Sequence, residues 1–131
     1  MSINFSSYLR SGSGLVPTAI KTSAYTAKSV DLVRCDTTAG AFSVTLPLNP
    51  ADGTIVGFLD VSNTFANNNL TVLPNGNKIE NDSNYALLNI NGTYLVMIYN
   101  AATTNWKFEI TPTILPVTTT TTRGKIFFMK G

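Results

Sequence analysis

The sequence predicts an all-β fold: an antiparallel β-sandwich of jelly-roll type, built from about eight short strands. Three observations predict it. Short runs of alternating apolar and polar residues fill the stretch from Tyr25 to Ile110. Turns rich in Asn, Gly and Pro break those runs at a spacing of roughly 8–12 residues, the rhythm of a sandwich or barrel. No stretch repeats its apolar residues at helical period.

The first 24 residues read as an N-terminal arm. They are rich in Ser, Gly and Thr, and Ser11-Gly12-Ser13-Gly14 has the composition of a flexible link. Ile3, Phe5, Tyr8 and Leu9 precede that link as a candidate anchoring patch. Residues 25–110 form the β-domain. Val30–Cys35 is its first clear strand, and Thr37–Gly40 is a turn. In Phe42–Leu46, Phe42, Val44 and Leu46 face one way, with Ser43 and Thr45 facing the other. Pro47 and Pro50, with Asp52-Gly53, end that strand. Ile55–Val61 is apolar on both faces and predicts a central strand. Pro74-Asn75-Gly76-Asn77 predicts a hairpin joining Leu70–Leu73 to Lys78–Glu80, and Asn91-Gly92 predicts one joining Tyr85–Ile90 to Thr93–Tyr99. Asn105–Ile110 alternates again, with Trp106, Phe108 and Ile110 inward and Asn105, Lys107 and Glu109 outward. Phe42, Val44, Leu46, Trp106 and Phe108 are the candidate core and closing hairpin. Residues 111–131 read as an extended tail: Thr118–Thr122 is a run of Thr, and Lys125, Ile126, Phe127, Phe128 and Met129 form a β-like piece suited to pairing with a neighbouring subunit.

Composition argues against catalysis. The chain has no His, one Cys and seven carboxylates, and those carboxylates are scattered singly. Triads built on His are therefore impossible, and the common zinc sites lose their main ligand. No pair of carboxylates shows the arrangement a glycosidase needs. The reading is a non-enzymatic protein with no catalytic residues, no metal and no cofactor. Charged residues are only 12% of the chain and its net charge is +2. The basic residues are dispersed, which argues against a nucleic-acid partner. No apolar run reaches the length of a membrane helix, so no membrane partner is expected. A surface so poor in charge suits burial in a larger assembly, or equally a β-domain that uses Thr and Asn on its solvent face. Cys35, with no second cysteine to pair with, fits a small core residue in a protein assembled in a reducing cytoplasm.

Several motifs occur in a fixed order. They are Tyr25-Thr26-Ala27-Lys28; Asp31-Leu32-Val33-Arg34-Cys35-Asp36-Thr37-Thr38-Ala39-Gly40 leading to Val44-Thr45-Leu46-Pro47; Gly53-Thr54-Ile55-Val56-Gly57-Phe58-Leu59-Asp60; Phe65-Ala66-Asn67-Asn68-Asn69-Leu70-Thr71-Val72; Asn75-Gly76-Asn77-Lys78-Ile79; and Leu95-Val96-Met97-Ile98-Tyr99-Asn100 before Asn105-Trp106-Lys107. Together, over residues 25–108, they resemble a β-rich module of tailed-bacteriophage virion structural proteins, found in tail fibres and capsid-surface proteins. The resemblance implies a virion protein. A single module with a short arm and tail looks like a capsid decoration, or cement, protein that binds the assembled shell as a homotrimer and stabilises it. Its partners would then be copies of itself and the major capsid protein or other virion proteins. The arm residues Ile3, Phe5, Tyr8 and Leu9 would touch the capsid, and the Lys125–Met129 tail a neighbouring subunit. The alternative is a tail, neck or head-fibre component that attaches to a host-surface glycan.

Overall fold

The computed structural model describes residues 14–110 and 125–127. Among these, eleven strands and no helix occur: β1 Val16–Pro17, β2 Tyr25–Thr26, β3 Asp31–Cys35, β4 Phe42–Thr45, β5 Ile55–Asp60, β6 Leu70–Leu73, β7 Lys78–Ile79, β8 Ala86–Leu88, β9 Tyr94–Asn100, β10 Asn105–Ile110 and β11 Lys125–Phe127. They form two sheets. Sheet A has the order β1-β3-β5-β9-β10-β7, and sheet B has the order β11-β8-β6-β4-β2.

The all-β expectation holds, but the antiparallel jelly-roll sandwich is overturned. The first six strands alternate between the sheets. In sheet A, β1 pairs with β3 and β3 with β5; in sheet B, β2 pairs with β4 and β4 with β6; all four pairings are parallel. The chain therefore winds in stacked coils, each giving one strand to each sheet. The fold is a β-solenoid. Antiparallel pairing is confined to the later strands, where β8 runs against β6, and β9 runs against both β5 and β10.

The turns explain the change. Thr37–Gly40 was expected to join two strands, and it does, but β3 lies in sheet A and β4 in sheet B. The predicted hairpins at Pro74–Asn77 and Asn91-Gly92 are not hairpins either, because β6/β7 and β8/β9 fall in different sheets. Asn75 (φ 56°), Gly76 (φ 88°) and Gly92 (φ 78°) do take the left-handed backbone that those turns require. The chain uses it to turn a corner between layers instead of folding back within one. Only β9 and β10 make the hairpin the sequence predicts.

The Asn-rich corners have a second role. Corners of successive coils stack, and their backbone groups lack a strand ladder, so side chains must satisfy them. Asn68 Nδ2 donates to the Thr37 carbonyl of the preceding coil (2.8 Å), and Asn75 Nδ2 to the Leu46 carbonyl (2.9 Å). The Thr37 and Thr64 hydroxyls share a 2.7 Å hydrogen bond between the same two corners.

The core lies between the sheets. Val44, Leu46 and Trp106 are fully buried there, with Val33, Cys35, Phe58, Phe65, Leu70, Leu95 and Met97. Phe42 and Phe108 are partly buried and pack against it. Trp106 meets Tyr99 across the β9–β10 hairpin with ring centroids 5.1 Å apart.

Candidate functional site: the outer face of sheet A

Residues facing the core alternate along each strand with residues facing away from it. In β5, Val56 and Phe58 point inward, and in β9, Leu95, Met97 and Tyr99 do so. Ile55, Gly57 and Leu59, and Tyr94, Val96 and Ile98, therefore line the outer face. Strand register sets them in rows: Leu32 beside Gly57 beside Val96, Arg34 beside Leu59 beside Tyr94, and Ile55 beside Ile98 beside Lys107. The centre of this face is thus aliphatic. Val96 is 1% exposed although it belongs to no part of the core between the sheets.

Gly57 shapes this face. A Cβ there would lie 2.7 Å from Leu15 Cδ1 and 3.1 Å from Leu32 Cδ1. Its missing side chain lets Leu15, just ahead of β1, lie across the sheet. The rim of the face is polar. At one end Arg34 Nε donates to the Thr18 carbonyl (2.7 Å), and Tyr94 neighbours Glu109. Burial pushes the Glu109 carboxyl up from its ordinary value; burial also pushes the Tyr94 hydroxyl up, with the Glu109 charge adding to it. At the other end Lys107 Nζ makes a 2.9 Å ion pair with Glu80 Oε1, whose second oxygen accepts the Phe108 amide at 2.7 Å. Leu15 covers the centre of the face, and the half-buried Leu32, Leu59 and Ile98 stand around it inside the charged rim, an apolar patch with a polar border.

A shallow cleft of about 360 Å³ opens at that second end, lined by Asp52, Gly53, Ile98, Tyr99, Asn100 and Lys107. Asp52 Oδ1 accepts the Ala101 amide (2.9 Å), and the Tyr99 hydroxyl donates to Asn77 Oδ1 (2.8 Å). Trp106, expected to face inward, is fully buried, and its Nε1 has no hydrogen-bond partner among the described residues. Asn105, expected to face outward, is 6% exposed because its side-chain oxygen accepts the Asn81 amide at 2.7 Å.

The anchoring patch Ile3, Phe5, Tyr8 and Leu9 lies outside the described residues, as do Phe128 and Met129. Lys125, Ile126 and Phe127 form β11, which pairs in parallel with β8 of the same chain. The segment read as an arm supplies β1, and Lys21 bridges to Cys35. Among the described residues, no three or more His, Cys, Asp or Glu gather to hold a metal ion, and no helix is long and apolar enough to cross a membrane. No family model and no curated protein matches the chain.

The outer face was missed in the sequence. Its signal was nonetheless present: Ile55–Val61 and Tyr94–Tyr99 are apolar at both strand parities, and a strand of that kind buries both its faces.

Proposed function

We propose that this chain is a non-enzymatic virion structural protein that docks on an assembled capsid shell through the outer face of sheet A and stabilises the shell as a decoration protein. The observation that carries the docking is the set of half-buried aliphatic side chains Leu32, Leu59 and Ile98, which surround the part of the face that Leu15 covers at Gly57, inside a rim of charged groups. Surface of this kind on a chain with few charges is more stable when covered. The virion setting rests on the order of sequence motifs over residues 25–108, and the homotrimer is what that resemblance implies.

The solenoid suits the task mechanically. Each coil is tied to the next by parallel backbone ladders and by Asn side chains at the corners, so a load on sheet A spreads through both sheets. The experiment is cosedimentation with assembled shells and with isolated capsid subunits, comparing the native chain with Leu59→Glu and Ile98→Glu. Native protein pelleting with shells alone, and loss of binding by folded variants, is the expected result. Equal binding by the native chain and both folded variants would refute the face.

The cleft favours a second reading, a tail, neck or head-fibre component that holds a host glycan. Asp52, Asn100 and Lys107 offer a carboxylate, an amide and an ammonium around the apolar Ile98, which matches the mixed demand of a sugar ring for hydrogen bonds and apolar contact. Glycan-array binding that Asp52→Ala abolishes would favour that reading over decoration.

A further inference from the structure

We propose that Asn75-Gly76 is a modification site, where Asn75 converts without an enzyme to aspartate or isoaspartate, and that the fold spares the chain's second Asn-Gly pair, Asn91-Gly92. In the reaction the Gly76 nitrogen gives its proton to base in the solvent and attacks Asn75 Cγ. A C–N bond forms, the Cγ–Nδ2 bond breaks, and ammonia leaves a cyclic imide behind. Water then opens the imide at either carbonyl. Glycine favours the step because no side chain shields its nitrogen. By sequence the two pairs have the same chemistry; their surroundings in the fold separate them.

At Asn75-Gly76 the nucleophile is free. The Asn77 amide closes the turn on the Pro74 carbonyl (3.3 Å), with Asn75 (φ 56°) and Gly76 (φ 88°) at its centre. The amide of a turn's central residue takes no part in the closing bond. Among the described residues no group accepts the Gly76 amide. Gly76 is exposed, and a Cβ there would meet no atom within 4 Å, so solvent base and water reach it. The electrophile is restrained by the 2.9 Å hydrogen bond from Asn75 Nδ2 to the Leu46 carbonyl.

At Asn91-Gly92 both reacting groups are engaged. The Gly92 amide donates to Asp60 Oδ2 (3.0 Å), and Asn91 Oδ1 accepts the Ala66 amide (2.8 Å). Asp60 is buried, so its bond to Gly92 is shielded from competing water. Asn63 Oδ1 lies 3.1 Å from the place a Gly92 Cβ would take, which crowds the glycine. Ring closure needs the nitrogen brought into line with the carboxamide carbon. Here that requires the corner to release both the end of β5 and Ala66. Conversion at Asn75 has a structural consequence as well. The Nδ2 donor becomes an oxygen, so two acceptors face each other where Asn75 met Leu46. Isoaspartate also lengthens the main chain of the turn. Either product loosens the corner that ties β6 to β4.

The test incubates the native full chain in heavy-oxygen water at mildly alkaline pH, beside the same chain unfolded in urea. Trypsin cuts after Lys78, so Asn75 and Asn91 fall in different fragments. Mass spectrometry then reads the heavy oxygen gained at each. In the folded chain Asn75 should convert about tenfold faster than Asn91, and in urea the two rates should agree within about twofold. Equal rates in the folded chain, or no conversion at Asn75, would overturn the proposal. Faster conversion at Asn91 would overturn it too, by showing that Asp60 acts as a base on the Gly92 amide. A gap that persists in urea would overturn the protective role of the fold. Converted chains, separated by their added negative charge, should unfold at a lower urea concentration than unconverted ones. Equal midpoints would overturn the loosening of the corner.

Discussion

The backbone amide of Gly92 donates a 3.0 Å hydrogen bond to Asp60 Oδ2, fastening the corner that leads into β9 to the end of β5. The same carboxylate accepts the Phe65 amide at 3.0 Å and the Thr64 amide at 3.2 Å, and Asp60 is 3% exposed. One buried carboxylate therefore ties two corners of the solenoid together. Asp60→Ala leaves three amides without their acceptor. Hydrogen bonds to a charged group are worth about 1.5–3 kcal/mol each and are not additive, so a loss of about 3–5 kcal/mol is expected. Urea unfolding measures it. A change under about 1 kcal/mol would mean that water replaces the carboxylate.

Val30 holds a φ of 64°, in the left-handed region that a β-branched residue seldom enters. Its backbone is committed on both sides: its amide donates to Ile55 and its carbonyl accepts from Val16. The side chain, 39% exposed, contributes little packing to offset the strain. Val30→Asn should raise stability by about 1 kcal/mol, because Asn tolerates this backbone. A lower melting temperature would show that the valine side chain packs more usefully than its exposure suggests.

Trp106→Ala should cost about 3–5 kcal/mol, since the indole is fully buried and packs on Tyr99. Chemical denaturation followed by circular dichroism checks it. Near-native stability would place the side chain outside the core.

The alkaline limb of stability has a definite sign. Burial, with the Asp60 charge adding, pushes the Cys35 thiol up to about 12. Burial and the hydrogen bond to Asp31 push the Tyr25 hydroxyl up to about 12 as well. The folded state holds both protons more tightly than the unfolded state. Their contribution to stability is complete below the ordinary thiol value near 9 and is lost as pH rises toward 12. Unfolding free energy should therefore fall steadily from pH 9 upward, and less steeply in Cys35→Ala. At pH 8 a thiol reagent should label Cys35 only after unfolding; rapid labelling of native protein would contradict its burial.

Much of the core was legible in the sequence, and the architecture was not, for a physical reason. Period-two alternation reports which residues of a strand face inward, and so Val44, Leu46 and Trp106 were placed correctly. It is the same in a sandwich and in a solenoid. What separates the two is whether a turn returns the chain to its own sheet or carries it to the other. Asn75-Gly76 and Asn91-Gly92 supply the left-handed backbone that suits either outcome. The parallel pairing of β3 with β5 and of β4 with β6 joins residues from successive coils, and no local pattern encodes it. The outer face of sheet A was half-written: Ile55–Val61 was read as a central strand from its two apolar faces, and β5 is central in sheet A. Leu15 over Gly57 was invisible, because it depends on β1 joining the sheet.

The central claim is a structural role on a capsid shell, and copy number in purified virions tests it most directly. Quantitative mass spectrometry against the major capsid protein gives the ratio. The account predicts copies in the same order as the capsid protein itself, as a shell-covering protein requires. Absence from the virion would contradict it, and a handful of copies per particle would move the protein to a tail, neck or vertex.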